Sequence, residues 1–138
     1  MSDVTVTEEL RIFFRAYNDT FAALSRGERT DGRAMLDFYG VPVAMTSDAG
    51  TRVVDDPSVL VATVMATAAE LATQDYDRSE QESFSARVVN ERTAAVDIGF
   101  VRRDRSGSAM GRLHTHFVVV RGDAGWRIVV LAAVALTD

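Results

Sequence analysis

Apolar positions recur every three or four residues in the first part of the chain, which is the spacing of an amphipathic helix. A helix is predicted to begin at Thr7, which Glu8 and Glu9 follow, and to end near Gly27. Its inward stripe is strongly aromatic and consists of Leu10, Phe13, Phe14, Tyr17, Phe21 and Leu24.

Two further helices are indicated before the middle of the chain. A short one fits Thr30 to Asp37, with Met35 and Leu36 facing inward. A longer one opens at Pro57 and Ser58, because proline is favoured in the first helical turn, and runs to about Thr73. Its apolar face is formed by Leu60, Val64, Met65, Ala68 and Leu71.

The remaining apolar stretches have the short period of β-strands. The letters QDYDRSEQES separate two early strands from the later ones, and we interpret them as a polar connection. The turns DRSGS and GDAG make the last strands antiparallel neighbours. The predicted strands are Val41–Thr46, Thr51–Val54, Phe84–Asn90 with Thr93–Arg103, Ala109–Arg121 and Trp126–Leu136.

The turns also predict which residues share a face of the sheet. If GDAG pairs Arg121 with Trp126, and DRSGSA pairs Arg103 with Met110, one face is continuously apolar and belongs against the helices. That face holds Val96, Ile98, Phe100, Phe117, Val119, Ile128 and Val130. The reverse face holds Asp97, Gly99, His114 and His116, with Val118, Val129 and Leu131 around them.

The only two histidines, His114 and His116, lie two positions apart on that reverse face, and Asp97 is expected directly opposite His116. A carboxylate there would orient the imidazole and favour its protonated form, as in a catalytic dyad. It would equally make a structural polar pair at a dimer interface. A one-residue bulge would exchange the two faces, so the sequence leaves open whether this face lines the pocket or meets a partner subunit. We favour the partner subunit, because the opposite face suits helix contact better.

Length and charge limit the classes of function. A chain of 138 residues that is 47% hydrophobic supports one domain, residues 1–138. The net charge is −5, and the basic residues are scattered, so no nucleic acid partner is expected. All fifteen basic residues are arginine, which is typical of a GC-rich genome and leads us to expect a bacterial source.

The sequence also bears on cellular location. MSDVTVTEEL has no signal-peptide pattern, and the longest apolar run, Ile128–Leu136, is far shorter than the roughly 20 residues of a membrane helix. No membrane partner is therefore expected. The absence of cysteine suits a reducing cytoplasm and excludes disulfides and thiol chemistry. We predict a cytoplasmic protein.

The element order, together with FYGVPV after the second helix and GWRIVVLAAV as the closing strand, resembles the nuclear transport factor 2-like superfamily. This superfamily includes SnoaL-like polyketide cyclases, ketosteroid isomerases and scytalone dehydratase. The resemblance covers nearly the whole chain and implies an α+β, cone-shaped (cystatin-like) roll. In it, three N-terminal helices pack on a curved, mostly antiparallel sheet around an apolar pocket. Many members of the superfamily are homodimers.

The resemblance also suggests site residues. Tyr17 is expected as a hydrogen-bond donor in the pocket, and Asp37 lies where ketosteroid isomerases carry a general base. Scytalone dehydratase follows its pocket tyrosine with an aspartate, whereas Asn18 stands here. The candidate catalytic residues are Tyr17, Asp37, Asp97, His114 and His116. The expected pocket lining is Tyr17, Phe21, Phe38, Tyr39, Met45, Met65, Phe100 and Phe117.

No metal or other cofactor is expected, because the His-x-His pair has no third histidine and no glutamate at the spacing of a cupin site. Three functions stay open. The favoured one is a domain that binds a small apolar ligand. The alternatives are a cofactor-independent isomerase, dehydratase or cyclase that uses general acid–base catalysis, and a dimerisation module without a ligand. A homodimer through the sheet is expected because three helices cannot cover both apolar faces.

Overall fold

Two α-helices, one 3₁₀ helix and six strands make up the computed structural model, which describes residues 2–136. In chain order they are α1 (Asp3–Ser25), the 3₁₀ helix (Gly32–Asp37), β1 (Tyr39–Ser47), β2 (Gly50–Val54), α2 (Pro57–Ala72), β3 (Tyr76–Asn90), β4 (Thr93–Asp104), β5 (Ala109–Gly122) and β6 (Gly125–Leu136). The α+β class predicted from the sequence is confirmed. The short second helix is a 3₁₀ helix.

The ends of the helices follow their capping residues. α1 begins earlier than predicted, because the Ser2 hydroxyl accepts a hydrogen bond from the Thr5 amide at 3.2 Å and caps the helix upstream of Thr7. Gly27, just after its end, has a φ of +76°. α2 begins at Pro57, as expected, with the Asp56 carboxylate accepting from the next amides. None of the helices in residues 2–136 is long and apolar enough to cross a membrane.

The six strands form one mixed sheet in the order β2-β1-β6-β5-β4-β3. β1 and β6 are parallel, and the other neighbours are antiparallel. The interpretation of QDYDRSEQES as a connection is wrong, because β3 begins within it at Tyr76. β3 is an edge strand whose outward residues Arg78 and Glu80 form ion pairs, so it lacks the apolar alternation of an inner strand.

The predicted register of the central strands is largely confirmed. Asp97 pairs with His116 and Arg121 with Trp126. Two details differ because the ladders are irregular. Arg103 pairs with Ala109 rather than Met110, and Val129 is an extra residue on β6. The second irregularity places Val130 opposite Val118 on the outer face and turns Leu131 inward, the reverse of the expectation.

The core lies between the helices and the inner face of the sheet. The inward residues of β4, β5 and β6 that were predicted to face the helices are buried there, apart from Val130. α1 is also anchored at the far end of the sheet, where Glu9 accepts hydrogen bonds from Trp126 at 3.0 Å and Arg121 at 3.2 Å. These contacts hold the aromatic stripe of α1 over the sheet and position Tyr17 next to β1.

Candidate small-molecule pocket

A cavity of about 240 Å³ lies between α1, α2 and the inner face of the sheet. Its walls are mostly aromatic and aliphatic, with a few hydroxyl groups, one amide and one guanidinium. Thr67 on α2 is exposed, which indicates that the cavity meets solvent beside that helix. The lining residues are Tyr17, Asn18, Phe21, Tyr39, Met45, Thr63, Val64, Thr67, Ser79, Phe100, Arg102, Leu113, Thr115, Phe117, Leu131 and Ala133.

Two tyrosines from different elements meet at the wall of the cavity. Tyr17 comes from α1 and Tyr39 from the first residue of β1, and their hydroxyl oxygens are 2.7 Å apart. Edge-on contacts of Tyr17 with the rings of Phe38 and Phe117, at centroid distances of 5.8 and 5.9 Å, fix its ring. Because each hydroxyl carries one hydrogen, the pair uses one proton internally and has a second one to donate.

Both phenols are held in their neutral form. Burial raises the pKa of Tyr17, although the hydrogen bond from Tyr39 and the charge of Arg102 act against it. Burial also raises the pKa of Tyr39 well above its ordinary value, and the neighbouring Tyr17 adds to the effect. At neutral pH the pair is therefore a hydrogen-bond donor and not a base.

Arg102 brings the only formal charge into the cavity lining within residues 2–136. It follows Val96, Ile98 and Phe100 on the inward positions of β4. Its Nε atom is buried without a hydrogen-bond acceptor in the described part of the chain. Burial lowers the pKa of the guanidinium, and the nearby Tyr76, Tyr17 and Glu70 act in the opposite direction.

A hydrogen-bonded set of residues supports the cavity next to Arg102. The Asn18 amide donates to the Ser79 carbonyl at 3.1 Å and ties α1 to β3. The Ser79 hydroxyl lies 2.8 Å from the Tyr76 hydroxyl. Ser79 and Arg102 are paired across the β3–β4 ladder, so this network fixes the strand that carries the guanidinium.

Most of the residues that the sequence suggested for the pocket line the cavity: Tyr17, Phe21, Tyr39, Met45, Phe100 and Phe117. Two lie elsewhere. Phe38 precedes Tyr39 and packs on the rings of Phe13 and Tyr17. Met65 follows Val64 on α2, so its side chain is turned about 100° away from the cavity. It packs against Gly32, where a Cβ added to the glycine would lie 2.5 Å from Met65 Cγ.

The candidate catalytic residues are not gathered in one place. Tyr17 lines the cavity, whereas Asp37 is exposed at the end of the 3₁₀ helix. Asp97, His114 and His116 lie on the outer face of the sheet, away from the cavity. The register, with Asp97 between two buried inward residues, separates this cluster from the pocket.

The outer cluster is a three-residue hydrogen-bonded unit. Asp97 Oδ1 lies 3.0 Å from His114 Nε2 and 2.9 Å from His116 Nδ1. Partial burial acts to raise the pKa of Asp97, but the hydrogen bonds and charge of the two histidines outweigh it, and the pKa is lowered. Among residues 2–136, no group of three or more His, Asp or Glu side chains has the geometry to hold a metal ion.

Comparisons with solved structures find the same fold in other proteins. An NTF2-like protein with a cystatin-like fold from Novosphingobium aromaticivorans superposes with a TM-score of 0.73 at 18% identity, over 94% of this chain and 80% of the other. A nuclear transport factor 2-like superfamily protein from Salmonella enterica gives 0.71 at 13% identity, over 99% and 95%. At these identities the similarity concerns the fold alone.

A cystatin-like domain of unknown function from Nostoc punctiforme also superposes, with a TM-score of 0.71 at 19% identity, over 97% of this chain and 80% of the other. No curated protein matches the chain significantly in sequence. The family model described as NTF2-like protein (DUF6841) matches residues 8–136, which include every strand and most of α1. The chain therefore belongs to this family of NTF2-like proteins.

Proposed function

We propose that the chain is a binding domain for a small, largely apolar organic molecule that occupies the cavity between α1, α2 and the sheet. The observation that carries this proposal is the cavity itself. It is lined by aromatic and aliphatic side chains with a few convergent polar groups, which is the usual composition of a ligand site.

Binding is favoured over acid–base catalysis by the chemistry of the lining. Within residues 2–136 the lining contains no carboxylate and no imidazole. A general base would have to be Tyr17 or Tyr39, and both have pKa values raised by burial. A base works best when its pKa lies near the working pH, so neither phenol suits an isomerase, dehydratase or cyclase of this type.

Mass spectrometry of the purified protein tests the proposal. We expect a native spectrum to show a co-purifying small molecule that is absent from a denaturing spectrum. The variant Ala133→Phe fills the cavity from β6 and should lose this molecule. The matched variant Ala124→Phe, in the exposed turn before β6, should retain it. Loss from both variants would show that the bound molecule does not depend on the cavity and would contradict the proposal. The absence of any bound molecule in the wild type would favour a module without a ligand.

We also propose that the chain forms a homodimer through the outer face of the sheet. That face surrounds the Asp97, His114 and His116 cluster with half-exposed or exposed apolar residues, among them Val130 and Val134, the latter 37% exposed. An exposed apolar patch is typical of a surface between subunits. Two-fold symmetry would bring the same patch of both copies together.

Light scattering coupled to gel filtration tests the dimer. Val134→Asp introduces a charge into the proposed interface and should reduce the molar mass to that of a monomer. Val4→Asp, on the exposed side of α1, is the matched control and should remain a dimer. A wild-type monomer at micromolar concentration, or equal masses for the two variants, would contradict the proposal.

A further inference from the structure

We infer that the cavity binds an organic anion, with a carboxylate held by Arg102 and an apolar body held by the aromatic walls. This inference rests on the proposed function, since it names the chemical class of the ligand in the same cavity. It starts from one observation: a cationic side chain lines a largely apolar cavity and has no anionic partner there.

Other arginines show what a partnered guanidinium looks like in this fold. Arg103, the next residue of β4, faces outward and donates from Nε to Glu80 and from Nη1 to the Gly107 carbonyl at 3.0 Å. Arg26 is paired with Glu28 at 2.9 Å. Among residues 2–136, Arg102 has no such hydrogen bond or ion pair, and its Nε is shielded from solvent.

The protein groups nearest to Arg102 stabilise its positive charge only weakly. Glu70 on α2 acts on Arg102 through its charge, but it is exposed and forms no ion pair within 4.0 Å in the described chain. Tyr17 and Tyr76 offer Arg102 only phenol groups and no carboxylate. Burying part of a cation without a partner is unfavourable, so an arginine at this position contributes little to stability and is suited to bind a ligand charge.

The surrounding groups select a carboxylate on an apolar body. A guanidinium can donate two parallel hydrogen bonds to a carboxylate, and the nearby Tyr17–Tyr39 pair has a further hydroxyl proton to donate. Phe100, Phe117 and the other apolar walls offer nothing to the hydration shell of a free inorganic anion. An aromatic or branched carboxylate therefore satisfies both parts of the cavity.

Calorimetric titration with matched probes tests the inference. The probes are benzoate and 2-naphthoate, each compared with the neutral amide of the same shape. We expect wild-type protein to bind a carboxylate more tightly than its amide. Arg102→Met should weaken carboxylate binding roughly ten- to one-hundred-fold, as expected for the loss of charge-assisted hydrogen bonds, and leave amide binding unchanged. Arg102→Lys should be intermediate, since it keeps the charge but not the two-pronged geometry.

Control variants separate a binding role from a structural one. Arg87→Met removes an exposed arginine from the outer face of β3 and should not alter either affinity. Without ligand, Arg102→Met should be at least as stable as wild type in urea. If it unfolds more easily, and Glu70→Gln does so by the same amount, Arg102 is a structural ion-pair partner and the inference is overturned.

The outcomes also separate this inference from the proposed function. Equal binding of carboxylate and amide, both lost in Ala133→Phe, would leave the proposed pocket function standing and refute the anion. Failure of wild-type protein to bind any of the probes would count against both. Preference for the carboxylate that survives Arg102→Met would refute the role of Arg102 alone.

Discussion

The hydrogen bond between Tyr17 and Tyr39 allows a quantitative test of the cavity wall. Replacing either tyrosine by phenylalanine removes one oxygen and leaves the ring contacts in place. The oxygen–oxygen distance of 2.7 Å is that of a well-formed bond between hydroxyl groups. Such a bond contributes about 1 kcal/mol net, whereas a buried hydroxyl left without its partner costs about 1–3 kcal/mol.

A double-mutant cycle uses this difference. Each single variant should lower the free energy of unfolding by about 1–2 kcal/mol. Tyr17→Phe should have the larger effect, because the hydroxyl it strands belongs to Tyr39, which is only 5% exposed and the more deeply placed of the two. The double variant should lose little more than one single variant, so that the coupling energy is about 1 kcal/mol.

Urea denaturation followed by circular dichroism measures the four proteins, with an unchanged m-value as the check that all unfold alike. Tyr76→Phe is the control, because the hydroxyl of Tyr76 contacts Ser79 and takes no part in the pair. Its effect should simply add to that of Tyr39→Phe. Additive losses for Tyr17→Phe and Tyr39→Phe, or single variants as stable as wild type, would refute the shared hydrogen bond as a stabilising contact.

Three further predictions concern other parts of the molecule. The pKa values of all three tyrosines are raised, chiefly by burial, so absorbance titration at about pH 10 should detect less phenolate in the folded protein than in the urea-unfolded chain. Stability should fall as the pH rises above that value, because the unfolded chain loses its protons first. Gly99→Ala should destabilise the protein by about 1–2 kcal/mol in urea, since the added Cβ would lie 2.6 Å from Ser83 Oγ; Ser83→Ala in the same chain should restore most of it. The lowered pKa of Asp97 stabilises the fold above about pH 4 and loses this effect as the pH falls through the folded-state pKa, so the thermal stability of Asp97→Asn should differ from wild type at pH 6 and converge with it in acid. The difference should be at most about 1 kcal/mol, because the Asp97 side chain is 41% exposed; a constant difference across the titration would contradict the assignment.

Periodicity predicted those parts of the fold in which one face is buried. The stripe on α1 and the alternation on β4 and β5 follow from burial against a single core, so the sequence carries the pattern. The first residues of β3 could not be found in this way. Apart from Tyr76, their side chains pair with charged neighbours or line the polar side of the cavity, and an edge strand of this kind has no apolar alternation to read.

The bulge on β6 shows a second limit of the sequence. Val129, Val130 and Leu131 are chemically similar, so no pattern tells which of them is the extra residue in the ladder. The structure resolves this from the pairing with β5, which places Val130 opposite Val118. As a result Leu131 and Ala133, rather than their neighbours, reach the cavity, and that part of its wall could not be predicted from the sequence.

The two kinds of polar residue on β4 and β5 were unequally informative about function. The histidines are conspicuous because the chain has only two, but alternation places them with Asp97 on the outer face, where both form hydrogen bonds with Asp97. Arg102 is one of fifteen basic residues and is therefore not conspicuous in the sequence. The alternation that puts Val96, Ile98 and Phe100 inward nevertheless puts Arg102 inward as well. A charge at a position where the local pattern requires an apolar residue opposes folding, and such conflicts concentrate at functional sites. In this fold the departure from the pattern, more than the rarity of a residue type, is the basis on which we propose a ligand site.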